Sequence, residues 1–203
     1  MHWIELFHLG DLALTIPAAC AVAAWLGAAG AWRAAGGWLL LFGLALALVA
    51  ATKIAFMGWA TGVPGLHFKA LSGHATGFSA AFPTLCWLLA RPLGPRVRAI
   101  AAGATLALGI LVAVALVQAG EHTRAEAAAG WLIGAATFLC ALHLVGDAPP
   151  PRPGRGAAAL ACALLAAGVA AWAVETAPLN HWLVRVALAL SGNPSPYPWG
   201  HCG

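Results

Sequence analysis

Charge is what this sequence has least of. Asp, Glu, Lys and Arg make up 8% of its 203 residues, against about a quarter in a soluble domain. Such scarcity excludes an ordinary water-exposed globule. The few charges are also bunched: none falls between Asp11 and Arg33, Arg33 and Lys53, Lys69 and Arg91, Arg98 and Glu121, Glu126 and Asp147, or Arg155 and Glu175. Each gap is close to the roughly 20 residues a helix needs to cross a bilayer. The gaps lack the alternation of polar and apolar residues that membrane barrel strands require, which excludes a barrel. Lys and Arg are missing from the first eleven residues, so the basic start of a cleaved signal peptide is not there. Met1 to Gly10 is instead expected to lead in along the interface, with Trp3 and Phe7 at headgroup depth.

Cysteine is sparse too, and none of the five shows metal-ligand spacing. Cys20, Cys86, Cys140 and Cys162 lie inside apolar runs, where cysteine acts as a small hydrophobe. Cys202 has no evident partner in sequence, and no structural disulfide is expected.

What is present is 62% hydrophobic, mostly Ala, Leu, Gly and Val. The expected fold class is all-α: a polytopic membrane protein with six transmembrane helices in one bundle. Spans are placed near 12–32, 37–57, 72–90, 99–119, 124–145 and 157–174. Small residues such as Ala28, Ala29, Gly30, Ala101, Ala102 and Gly103 would let these helices approach closely. The six-helix domain takes in residues 1–174, and 175–203 form a tail on the outer surface. Within the tail, Leu179, Trp182, Leu183, Val186 and Leu190 recur at helical spacing, which predicts a short interfacial helix. The closing NPSPYPWGHCG is too rich in Pro and Gly for regular structure. A Pro/Gly-rich linker occupies 146–156.

Basic residues set the orientation. Arg33, Arg91, Arg96, Arg98, Arg152 and Arg155 follow the odd-numbered spans, and away from the charged motifs Arg185 stands alone on the other face, six against one. Odd-numbered loops are therefore expected in the cytoplasm, with both termini outside. The net charge of +4 reflects this asymmetry, and no nucleic-acid partner is expected.

The chemistry gathers at the outer ends of the spans. Ser72-Gly73-His74 opens the third apolar run, and His122 with Glu126 opens the fifth. Residues four apart share a helix face, so Glu126 can hold one nitrogen of His122 and leave the other bare for attack. Amides at a helix start, at Ser72 and Gly73, can bind phosphate, and the helix dipole adds attraction. Imidazole titrates near neutrality, which suits His74 to general acid work. Lys53 ends the second span, and a charge at membrane depth is a functional hypothesis by default. The plainer readings are helix caps for the Ser-Gly-His and His-Glu pairs and a snorkelling lysine for Lys53. Trp59 is the tryptophan placed nearest a substrate.

The order Lys53, Ser72-Gly73-His74, His122 with Glu126 resembles the type 2 phosphatidic acid phosphatase superfamily of membrane lipid phosphatases, over about Lys53 to Gly134. The resemblance implies that His122 attacks phosphorus to give a phosphohistidine and that His74 protonates the leaving oxygen. It implies no metal or other cofactor. Where the family pattern has arginines this sequence has Ala60 and Leu116, with Thr61 and Ala115 at the adjoining motif positions. Leu71 replaces a proline and Glu126 an aspartate. Lys69 and Arg124 are the nearby cations that could stand in for the arginines as phosphate-binding groups. The expected partners are membrane lipids and a lipid phosphate substrate: undecaprenyl diphosphate, phosphatidic acid, phosphatidylglycerol phosphate or a lipid A phosphate. Two alternatives stay open: a degenerate relative that binds or moves anionic lipids, and a bis-histidine haem protein of the membrane. Oligomeric state is not legible in the sequence.

Overall fold

The computed structural model describes residues 3–146, 156–176 and 179–199. The Arg152 and Arg155 linker and Cys202 lie outside them. Six long helices follow a leading 3₁₀ helix, Trp3–Gly10: α1 Leu12–Ala28, α2 Trp32–Trp59, α3 Gly73–Leu89, α4 Pro95–Gln118, α5 Arg124–Val145 and α6 Gly156–Thr176. A seventh, α7, spans Leu179–Ser191. The chain is an all-α membrane protein.

The six expected spans thus have six helices in their places, but only three of these pass as spans by length and composition. Among the described residues these are α2, α4 and α5, and a fourth forms if Ile4–Gly10 and Leu12–Ala28, bent by 43°, count together. The difference lies in α1, which has 17 residues, in α6 and in α3. The α3 helix also has 17 residues and is enclosed by its neighbours, with Thr76, Ser79, Pro83 and Thr84 buried along it. A helix shielded from lipid by other helices has no need of an apolar surface. In α6 the apolar helix recognised by composition is Leu160–Ala173.

Packing follows membrane rather than aqueous rules. Leu39, Leu40, Leu44 and Leu48 of α2, Ile100, Ile110 and Leu111 of α4, and Leu164, Leu165 and Val169 of α6 all face outward. Small residues lie between the helices. In α5, Gly130 and Gly134 press on α3 so closely that an added Cβ would lie 2.6 Å from the Ser72 carbonyl oxygen and 2.5 Å from that of Thr76. Thr76 fills the same seam, its hydroxyl donating to Ser72 O at 2.8 Å and Gly130 O at 3.1 Å. Trp38, wholly buried, ties α2 to α1 through Nε1 and Ala19 O at 2.9 Å.

The bundle has a basic end. Arg91 donates to Gly146 O at 3.2 Å. Arg98 donates to Trp87 O at 3.3 Å, with its guanidinium 4.1 Å from the Trp87 ring centre. The start of α2, after Arg33, meets the end of α5 where Gly37 touches Leu144. Lys53, His74 and His122 occupy the opposite end.

The two segments expected at the interface also pack on the bundle. The leading 3₁₀ helix folds inward against α3 and α4, and Phe7 and Leu9 pack on a buried cluster of Ala75, Phe78, Val112 and Leu116. The α7 helix packs on α2, where Gly58 lets the Ala187 backbone come close. The chain beyond α7 continues along α2, with Asn193 Nδ2 donating to Gly58 O at 2.7 Å and Tyr197 N to Met57 O at 2.9 Å.

Candidate functional site

His122 is fixed between a helix stop and a helix start. At the end of α4, Gly120 adopts φ +77°. Its N–H bonds Val117 O at 3.2 Å and the next N–H, Glu121, bonds Leu116 O at 3.1 Å. These are the two closing bonds of a Schellman stop, and a glycine supplies the left-handed residue without strain. One residue beyond His122, α5 begins with a capping box: the Thr123 hydroxyl accepts from Glu126 N at 3.3 Å, and Thr123 N donates to Glu126 Oε2 at 3.1 Å. Glu126 therefore does two jobs. The same Oε2 accepts from His122 Nδ1 at 3.0 Å, and Oε1 accepts from Lys69 N at 2.9 Å. The carboxylate is buried, fully bonded, and leaves His122 Nε2 as the free nitrogen.

His74 enters from the first turn of α3. Thr52, beside Lys53, accepts from Leu71 N at 3.1 Å and so pins the entry to α3 against α2. The Ser72 hydroxyl caps α3 by accepting from Ala75 N at 3.3 Å. The rings of His74 and His122 stand 6.4 Å apart centre to centre, edge to face. That is about twice the 3–3.5 Å of a near-attack contact, so one phosphoryl group can touch both.

Both histidines open onto a cavity of about 530 Å³, lined also by Lys53, Met57, Lys69, Gly120, Glu121, Glu126, Asn180, Leu183, Val184 and Trp199. Its size is that of a small-molecule site.

The structure thus brings together His122, His74, Glu126, Lys53 and Lys69. It separates Ser72, Gly73 and Arg124 from them. Ser72 is fully buried, and its N–H, expected to point outward for phosphate, donates to Glu126 O at 3.3 Å. Gly73 is buried against Val49. The two residues place His74 rather than line the cavity. Arg124 is exposed on the other side of the α4–α5 turn, on an apolar groove of about 460 Å³ with Ile110, Val114, Val117 and Trp131. The reason is helical: Arg124 begins α5 two residues before Glu126, and residues two apart on a helix point different ways. Lys69 reaches the cavity, but its ammonium donates to the Trp199 carbonyl. Leu116 and Ala115, at positions of the absent arginine motif, are fully buried. Among the described residues no arginine lines the cavity.

Sequence reasoning missed Asp11, whose Oδ1 lies 2.8 Å from His74 Nε2. It also missed the wall formed by α7 and Trp199, which stacks on Phe56 at 5.0 Å. Trp59, expected near a substrate, is half exposed at the end of α2 and does not line the cavity. The signal for Asp11 was available, since it is an acid at the mouth of the first apolar run, at the same end of the bundle as His74.

No protein-family model matches the chain, and no solved structure matches it. A protein of Klebsiella pneumoniae described as "Uncharacterized 22.5 kDa protein in cps region" is 30% identical over 203 residues, an alignment covering 97% of this chain and 95% of the relative. Identity at that level along nearly the whole of both chains places this protein in the same family as the 22.5 kDa cps-region protein of Klebsiella pneumoniae.

Proposed function

We propose that this protein is an integral membrane phosphatase of lipid phosphates or pyrophosphates, working through a phosphohistidine on His122. The observation that carries the reading is the pair of facing imidazoles, each held by its own carboxylate, above Lys53 in one cavity. Glu126 accepts a hydrogen bond from His122 Nδ1–H and so directs Nε2 at phosphorus. As the new P–N bond forms, the bond from phosphorus to the leaving oxygen breaks, that of the lipid or the bridging oxygen of a diphosphate. His74 enters this step as the imidazolium, gives that oxygen its Nδ1 proton and is left neutral, with Nε2–H on Asp11. In the second half His74 takes a proton from water, the water oxygen attacks phosphorus and the P–N bond breaks. Inorganic phosphate leaves and both imidazoles return to their starting states. Lys53, with Lys69 beside it, supplies positive charge for the phosphoryl oxygens without the bidentate fork of an arginine. General acid catalysis of this kind is worth about 10²–10⁴ in rate.

The six long helices are read as six spans, with α3 the shielded central one. Gathering of Arg33, Arg91, Arg96 and Arg98 at the end opposite the histidines supports a cytoplasmic basic end and an outward-facing site. A relative in Klebsiella pneumoniae supports the inner membrane of a bacterium as the location. Candidate substrates are undecaprenyl diphosphate, phosphatidic acid, phosphatidylglycerol phosphate and lipid A phosphates.

The test is phosphate release by the purified protein in proteoliposomes against that panel. Release from at least one substrate, lost in His122→Ala, supports the reading. Saturable binding of the same lipids without release favours the catalytically degenerate relative instead, for which the lack of a cavity arginine is the motive. Absence of both binding and release contradicts both readings.

A further inference from the structure

Asp11 occupies the N-cap position of α1, where an aspartate ordinarily accepts a hydrogen bond from a backbone N–H in the first turn. Here it makes no such bond. Its two oxygens go to imidazoles instead: Oδ1 accepts from His74 Nε2 at 2.8 Å, and Oδ2 faces His8 Nδ1 at 3.0 Å. Forgoing a cap gives up about 1 kcal/mol of helix stability, and a local rule broken in this way marks a functional position.

The surroundings are built for the contact. Gly10 lies so close to α3 that a Cβ there would fall 2.8 Å from both Cβ and O of His74. Only glycine lets the 3₁₀ helix come near enough for Asp11 to reach. Phe7 packs its ring 6.3 Å from that of His74, edge to face, and so limits rotation of the imidazole.

We propose that Asp11 is the positioning residue of His74, fixing its Nε2–H tautomer and turning Nδ1 toward the cavity, as Glu126 fixes His122. The site then consists of two carboxylate–histidine pairs of opposite sense: His122 presents a bare Nε2, and His74 presents Nδ1, which carries the transferable proton in the imidazolium and is bare once that proton is given. The catalytic part of the proposal rests on the phosphatase reading; the tautomer part does not. The leading 3₁₀ helix becomes part of the site, and His8, with its side chain 61% exposed, is the outer partner of the shared carboxylate.

The experiment uses the full chain in nanodiscs with ¹⁵N-labelled histidine, comparing wild type with Asp11→Ala, Asp11→Asn, Asp11→Glu and His74→Ala. His74→Ala assigns the His74 resonances. Wild type is expected to hold neutral His74 as the Nε2–H form, and Asp11→Ala to release it to a mixture of tautomers. On the substrate active in the lipid panel, kcat of Asp11→Ala and Asp11→Asn should fall at least about tenfold at little-changed KM, and Asp11→Glu should recover part of it. A merely structural Asp11 would lower the folded fraction but leave kcat per folded molecule and the tautomer unchanged. Unchanged tautomer in Asp11→Ala overturns the proposal, as does wild-type kcat in that variant when His74→Ala is inactive. If no lipid phosphate is hydrolysed, the phosphatase reading falls, and the tautomer measurement still decides for or against the clamp.

Discussion

At the scale of single residues, Glu126 carries the most. It is at once the third residue of a capping box, the acceptor for His122 and the acceptor for the Lys69 amide. Glutamine also serves in a capping box, so the structural and chemical roles can be separated. Glu126→Gln should keep thermal stability close to wild type while lowering kcat at least about tenfold, since replacing a histidine-orienting carboxylate by its amide favours the wrong tautomer. Glu126→Ala should lose turnover and, in thermal unfolding, the roughly 0.5–2 kcal/mol typical of a lost cap. Cations divide in the same way. Lys53→Ala should weaken turnover about tenfold or more, because a hydrogen bond to a charged group contributes roughly 1.5–3 kcal/mol. Arg124→Ala should leave phosphate turnover near wild type, its guanidinium lying on the groove behind the α4–α5 turn. Equal losses in the two variants would place Arg124 back in the site.

At the scale of elements, the glycines of α5 set the α3–α5 distance and hence the gap between the histidines. A Cβ at position 134 would lie 2.5 Å from Thr76 O and 2.8 Å from Ser79 Cβ. Gly134→Ala is therefore expected to destabilise by about 1–3 kcal/mol, the usual cost of overpacking. Gly103→Ala, on an exposed face of α4 with open space around it, should be neutral or stabilising. Thermal unfolding in one detergent compares the two, and equal effects would refute a tight α3–α5 seam. Much of this local construction was legible in sequence. His122 with Glu126 reads as a helix start, and one forms there, while the Gly120 stop and the Thr123 cap around His122 emerged from the structure. Ser72 reads as a cap and is one. What could not be read was partnership at long range. Asp11 lies 63 residues from His74 and Trp199 lies 130 from Lys69, and neither spacing has a period that a sequence pattern could reveal. Arg124 was misplaced for a local reason: charge and proximity in sequence suggested the site, but its direction around α5 excluded it.

At the scale of the whole molecule, polarity along the bundle joins fold to chemistry. Arg33, Arg91, Arg96 and Arg98 gather at one end and the histidine cavity at the other, with Arg124 and Arg185, so one orientation in the membrane fixes which side the cavity faces. A reporter fused after Gly94 should be active only as a cytoplasmic fusion, and activity only on the outside would invert the account. The span count yielded less to sequence reading than the fold class did, because α1 and α3 have only 17 residues each and apolar length alone does not separate a shielded helix from a short one. The most direct measurement of the central claim is chemical. Wild-type protein in proteoliposomes is mixed with the hydrolysed lipid carrying ³²P at the transferred phosphoryl group, quenched during turnover and run on a denaturing gel. A protein-bound label that survives alkali and is lost in acid, as a phosphohistidine is, is expected in wild type, and no label in His122→Ala. Turnover by wild type with no trapped label, or label that persists in His122→Ala, would contradict that claim.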